Sequence, residues 1–197
     1  VLPKNIKISS IRQDNALGLG HAVMCANHLI KDDYFAVLLP DEIIEDRFQF
    51  KHMTNKWKET STGQVMVERV PKSKISNYGV VDLLQRKISS NRTVPIHRLV
   101  EKPSSRQAPS NLRIVGRYIL PRSILDILKD ARAGKDGEIQ LTDSMQVGLI
   151  QTPGSLNACL CSSRVFDCGS KKGFIGANIA IAKKDIAMSK YMKEIIT

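Results

Sequence analysis

Histidines and aromatic residues are scarce among the 197 residues: the chain has four histidines, one tryptophan, four tyrosines and five phenylalanines. His21, His28, His52 and His97 are dispersed and compose neither a triad nor a metal ligand set. No Ser or Cys stands in a recognisable nucleophile setting, so hydrolysis through a covalent side-chain intermediate is disfavoured. Aromatic residues make up 5% of the chain, and none interleaves with a basic stripe as base stacking requires. A nucleic-acid partner is therefore not expected, despite a net charge of +11. No apolar run approaches the ~20 residues that a membrane-spanning helix needs. The opening Val1-Leu-Pro-Lys-Asn5 has no apolar core and no cleavage-site pattern, so it does not read as a secretory signal. Its first residue is not Met, which points to a start inside a longer product.

Cysteine is also limited. Cys25, Cys159, Cys161 and Cys168 include three within ten residues, but the C-x-C-x6-C spacing lacks a C-x2-C knuckle and has no nearby His. In a strand, Cys159 and Cys161 share a face, and core packing is the expected role. With no secretory signal, reduced thiols in the cytoplasm are the natural reading.

Apolar residues at 42% and charged residues at 25% fit a globular domain with a buried core. Strand and helix signals alternate along the chain. Lys7–Arg12 reads as a short strand before the glycine turn Gly18-Leu-Gly20, and His21–Ile30 as a helix. Phe35–Leu39 is an unbroken apolar run suited to a strand buried on both sides. Further strands are expected at 63–70, 78–84, 97–102, 112–120 and 156–161. Helices are expected at 124–131 behind a Ser123 cap, and at 142–150 with Thr142 or Asp143 as its cap. A helix over 171–183 contains Gly173 and Gly176, each costing ~1 kcal/mol unless backbones pack closely there. A last amphipathic helix covers 185–196. This order predicts an α/β fold with a mixed, mostly parallel sheet flanked by helices, whose ligands lie beyond the carboxyl ends of the strands.

Asp41 directly follows the run Phe35–Leu39, and Asp167 follows Val165-Phe166 with Gly169 two residues on. Two such carboxylates can hold one Mg2+ against phosphate oxygens; the alternative is that each ends its strand as a turn former. Gly18-Leu-Gly20 is half of a dinucleotide fingerprint, with Val23 where the third glycine belongs, or else a tight strand-to-helix turn. Glu101 can accept from sugar hydroxyls while Lys102 faces phosphate, although neighbours on a strand point to opposite faces. The alternative there is an exposed ion pair stopped by Pro103.

Several longer stretches occur in a fixed order. They are Gln13-Asp-Asn-Ala-Leu-Gly-Leu-Gly-His-Ala22, Leu38-Leu-Pro-Asp41, Tyr78-Gly-Val-Val-Asp82, Val100-Glu-Lys-Pro103, Pro109 to Tyr118, Gly137-Glu-Ile-Gln-Leu-Thr-Asp143 and Phe166-Asp-Cys-Gly-Ser-Lys-Lys-Gly173. Over nearly the whole chain this series resembles the bacterial UTP–glucose-1-phosphate uridylyltransferases. The resemblance implies a nucleotide-diphospho-sugar transferase-like, Rossmann-like fold. It also implies transfer of a uridylyl group from UTP to glucose 1-phosphate, giving UDP-glucose and pyrophosphate. By the same resemblance Gln13 and Gly18 contact uracil, and Asp41 and Asp167 hold Mg2+. Gly79, Glu101 and Lys102 touch the glucose, and Lys171 its phosphate. The implied partners are UTP, glucose 1-phosphate and UDP-glucose, in the cytoplasm, with a homo-oligomer as an option and with neither nucleic acid nor membrane.

Two departures set expectations of their own. The family's glycine-rich G-x-G-T-R loop and following P-K segment do not occur here, and Asp14, Asn15 and Leu17 replace residues usually small, apolar and basic. Residues 1–197 are accordingly expected to form a single nucleotidyltransferase domain lacking its amino-terminal triphosphate-binding segment and first strands. A non-catalytic UDP-sugar-binding remnant is the alternative. The purified chain is expected to be poorly soluble and to release no pyrophosphate from UTP and glucose 1-phosphate. A pyrophosphate assay checks this, and robust turnover would show that the loop is dispensable.

Overall fold

The apolar runs of the sequence pair into one six-stranded sheet with helices on both faces. The computed structural model describes residues 6–85, 87–90, 92–134 and 137–196. In chain order the elements are α1 (Leu19–Cys25), β1 (Tyr34–Leu38), β2 (Glu42–Ile44), α2 (Gln49–Thr60), β3 (Gly63–Arg69), β4 (Val80–Leu83) and β5 (Thr93–Val100). They continue with β6 (Leu112–Pro121), α3 (Ser123–Asp130), α4 (Leu141–Gln151), β7 (Leu156–Leu160), β8 (Val165–Asp167), α5 (Lys171–Ala182) and α6 (Ile186–Ile196). The main sheet runs β1-β6-β3-β7-β5-β4, and β2 and β8 form a separate two-stranded ribbon. The sheet is mixed, but not mostly parallel: among the described residues only β3 and β7 pair parallel, and every other pairing is antiparallel. Strand direction depends on which distant strands become neighbours, which strand–helix alternation does not encode.

Side-chain alternation splits the core between the two faces. Val65 and Val67 of β3 join the cluster under α1, α3 and α4, which includes Ile124, Leu128, Leu141 and Met145. Met66, between them, faces Met53 of α2 along with Val115, Cys159 and Cys161. Both thiols thus pack in the core, and burial pushes the Cys159 thiol up to about 11. Helix α2 has no counterpart among the expected elements. Phe50, Met53 and Trp57 supply its apolar stripe at helical spacing, and Ser61 closes it in a left-handed conformation (φ 51) with its N–H on Trp57 O at 2.7 Å.

Four local expectations change. Lys7–Arg12 pairs with no strand, and Ile8 is 71% exposed. The helix after the glycine turn stops at Cys25 and gives way to a 3-10 turn at Asn27–Leu29. Strand β1 lies at a sheet edge and is not buried on both sides: none of its residues is fully buried, and Leu38 is half exposed. The caps of α3 and α4 are Arg122 and Gln140, with no side-chain cap bond, so Ser123 lies inside its helix.

Strand β6 carries a charge through the core. Arg113 is buried between Glu42 and Glu68: its Nη1 donates to Glu42 Oε1, and its Nε donates to Glu68 Oε1 at 2.6 Å. Glu42 also accepts from the Gly116 N–H. Burial draws the Arg113 pKa down, but the two carboxylates more than offset this and the net shift is upward. Arg113→Met would leave two carboxylates without their cation, and a loss of about 3–5 kcal/mol is expected. Glu68→Gln, which keeps the Glu42 pair, should cost less. Urea unfolding of the two variants checks the order.

Candidate active site

The β2–β8 ribbon brings distant carboxylates together. Its register sets Glu42 opposite Asp167, and the Cys168 N–H donates to Asp41 O at 2.6 Å. A Cβ placed on Gly169 would lie 3.1 Å from Asp167 Oδ1 and 3.2 Å from Asp41 Oδ2. One point in space therefore touches both carboxylates. Asp167 is held on two further sides: Oδ1 accepts from the Gly169 N–H at 3.1 Å, and Oδ2 accepts from the Tyr78 hydroxyl at 3.0 Å. The Arg113 guanidinium lies over the Tyr78 ring, 4.4 Å from its centroid, so the buried ion network ends against the residue that holds Asp167.

Behind Asp167, the first turn of α5 packs directly on the backbone. A Cβ at Gly173 would overlap the Asp167 carbonyl, which explains a glycine inside a helix. Ser170 caps α5 by accepting from the Gly173 N–H at 3.0 Å.

Asp41 and Asp167 open on a cleft of about 210 Å3 that also exposes Tyr78, Gly79, Glu101 and Thr142. Glu101 is hydrogen-bonded to Thr142; burial pushes its carboxyl above the ordinary glutamate range, and that bond opposes the shift. At Gly79 a Cβ would stand 2.9 Å from Thr142 Oγ1 and 3.0 Å from Glu101 Oε2, so a glycine keeps the space beside the carboxylate open. A larger hollow of about 510 Å3, lined by Asp126, Asp143 and Val147, shares no residue with this cleft.

Of the residues singled out in the sequence, Asp41, Asp167, Gly79 and Glu101 line the cleft together. The other four do not. Gly18, with a positive φ of 91 and an extended ψ that glycine adopts readily, adjoins it through Leu19, and the Gln13 amide folds back onto Gly18. Lys102 follows the end of β5 with φ 40 and its N–H on Tyr78 O at 3.2 Å. Strand parity therefore does not govern how Glu101 and Lys102 point. Lys171 opens α5 and is exposed. Tyr78, Glu42, Arg113 and Thr142 were not anticipated in the site. An arginine inside the apolar run Leu112–Val115 was the available signal, since a buried charge requires partners.

Comparison with known proteins agrees with this architecture. A model of the nucleotidyl transferase family matches residues 3–184. The UTP–glucose-1-phosphate uridylyltransferase of Haemophilus influenzae is 36% identical over the whole chain, which spans 68% of that protein. The enzyme of the same name from Escherichia coli K12 is 37% identical over 90% of the chain and 59% of its own length. Among solved structures, the UTP-bound UGPase of Acinetobacter baumannii superposes with a TM-score of 0.86 at 34% identity, covering 99% of this chain and 67% of that one. A UDP-glucose pyrophosphorylase complexed with UDP-glucose gives 0.82 at 34% identity, covering 89% and 66%. Fold and family model together define a nucleotidyltransferase. The chain belongs to the UTP–glucose-1-phosphate uridylyltransferase family, and it spans about two thirds of the length of the Haemophilus relative.

The raised Glu101 pKa sets a pH signature. An acid whose pKa is higher in the folded state contributes stability at low pH and loses it as pH rises through that folded value. Glu101→Gln should therefore unfold at a higher temperature than the parent at neutral pH. The gap should shrink as pH falls towards the ordinary glutamate range of ~4.3. Thermal unfolding of both proteins from acid to neutral pH checks this.

Proposed function

We propose that this chain acts in the transfer of a uridylyl group from UTP to glucose 1-phosphate, and that the cleft between the β2–β8 ribbon and Glu101 is the sugar-phosphate and metal end of that site. The observation that supports it is the meeting of Asp41 and Asp167 at one point. Among the described residues no group of three or more His, Cys, Asp or Glu side chains converges as a metal cage. Two hard carboxylates suit Mg2+, which takes one or two protein ligands and fills its remaining positions with phosphate oxygens and water. Bound to Asp41 and Asp167, Mg2+ would neutralise charge on those phosphate oxygens.

The residues themselves do the positioning. Glu101, desolvated and flanked by Gly79, accepts hydrogen bonds from glucose hydroxyls, with Lys102 beside it. Lys171 balances the phosphate of the sugar. Gln13 and Gly18 meet the uracil. No side chain has to act as nucleophile: an oxygen of glucose 1-phosphate attacks the α-phosphorus of UTP, and pyrophosphate leaves with the electron pair of the broken bond. Catalysis is then alignment plus electrostatic stabilisation. We assign the reaction to the cytoplasm, where thiols stay reduced.

A second reading is UDP-glucose binding without turnover. Pyrophosphate release from UTP and glucose 1-phosphate with Mg2+ separates the two. Release supports transfer, calorimetric binding of UDP-glucose with no release selects the second reading, and absence of both rejects each. Asp41→Asn and Asp167→Asn should each remove the Mg2+ dependence of binding and lower any turnover by about 10²-fold or more. A variant that keeps full Mg2+ dependence would reject the paired-carboxylate site.

A further inference from the structure

The Gln13 carboxamide is fixed through its nitrogen. Nε2 donates to Gly18 O at 3.1 Å. A carbonyl oxygen only accepts, so the nitrogen of the amide, not its oxygen, must face Gly18. The same Nε2 stands 2.9 Å from His21 Nδ1. With the amide nitrogen already assigned as donor, Nδ1 is the acceptor and the ring proton resides on Nε2 of the imidazole. Cys25 Sγ, one turn along α1, lies 3.8 Å from the same Nδ1 and makes a weaker contact. Both amide hydrogens of Gln13 are thus in use, while among the described residues its Oε1 has no hydrogen-bond partner.

The mount that carries His21 is firm. The Gly20 N–H donates to Ile139 O at 2.8 Å, and the Ile139 N–H donates to Leu17 O at 2.7 Å. A Cβ at Gly20 would come within 2.7 Å of that same Ile139 oxygen, so the start of α1 is seated directly on the 138–139 backbone.

We infer that His21 is a positioning residue: by accepting from Gln13 it sets the direction of the amide, so that Gln13 shows the nucleobase an acceptor and selects uracil over cytosine. This rests on the reading that Gln13 meets the base. Uracil carries a hydrogen on N3, flanked by two carbonyl oxygens, whereas N3 of cytosine is a bare acceptor. An amide oxygen bonds the first and opposes the second. A freely turning amide would offer its NH2 to cytosine and lose the distinction. The selectivity therefore resides in what prevents the turn, and that is the His21 acceptor acting with the Gly18 carbonyl.

Two measurements test this. Nitrogen-15 NMR of the His21 ring in the ligand-free protein should show the Nε2–H tautomer; the Nδ1–H tautomer would overturn the inference whatever binds. Calorimetry with UDP-glucose and CDP-glucose should show a preference for the uridine nucleotide. His21→Leu, similar in bulk but without an acceptor, should reduce that preference by about tenfold. His21→Asp, which restores an acceptor, should recover it. If His21→Leu weakens both nucleotides equally and His21→Asp rescues neither, the histidine is merely structural and the inference fails. Gln13→Ala separates the two layers of the argument. An unchanged preference in that variant rejects the contact between Gln13 and the base. A preference lost in Gln13→Ala but kept in His21→Leu rejects only the role of His21.

Discussion

Arg113 cannot leave its place without stranding two carboxylates inside the protein. Glu42 holds it through Nη1 and Glu68 through Nε, and Glu42 also accepts from the backbone of Gly116, which fixes the middle of β6. Arg117 extends the same clamp, donating to Leu39 O at 2.8 Å and to Glu42 O at 2.6 Å. Asp41 is therefore flanked by two backbone carbonyls that one side chain grips. On its other side Arg113 meets the Tyr78 ring, and Tyr78 donates to Asp167. Burying Arg113 and Glu42, with Glu68 partly buried beside them, is costly, and a well-packed apolar substitute could serve stability as well. What the charges provide is direction. The backbone around Asp41 is held by Arg117, and Asp167 by a tyrosine whose ring lies under the Arg113 guanidinium.

The two-stranded ribbon completes this arrangement. Segments far apart in the chain are laid side by side by only three residue pairs, Glu42 with Asp167, Ile43 with Phe166 and Ile44 with Val165. So short a ribbon is marginal by itself. Here it is pinned by the buried Glu42 and by Phe166, which is 4% exposed. The site thus owes its geometry to packing and ion pairing behind it rather than to the ribbon's own hydrogen bonds.

Much of this was legible in the residues and some was not. The strands at 63–69, 112–121 and 156–160 announced themselves as apolar runs, and Asp41 stood out because a carboxylate closes such a run. Gly79 came into view only through resemblance, whereas Glu101 was already a candidate acceptor for sugar hydroxyls set against an exposed ion pair, since a glutamate after a strand is ordinary in itself. Helix α2 was missed although Phe50, Met53 and Trp57 repeat at helical spacing, because its remaining positions are polar and its mean hydropathy is low. The three-residue strands β2 and β8 were beyond periodicity, which needs longer windows. Sheet direction was misjudged for a different reason: β1, β3 and β6 pair across large sequence separations, and local patterning has no term for that. Lys7–Arg12 shows the converse, a short strand-like stretch that finds no partner strand among the described residues.

Gly173 has a consequence for how opposite charges are spaced. With no side chain there, the first turn of α5 sits flush against the Asp167 carbonyl, and the same turn begins with Lys171. The backbones that carry the anion and the cation are joined by two intervening loop residues and one capping serine. Any shear of α5 against the sheet must carry the Asp167 backbone and the root of the Lys171 side chain together, so the separation of the two anchoring points is set by backbone packing.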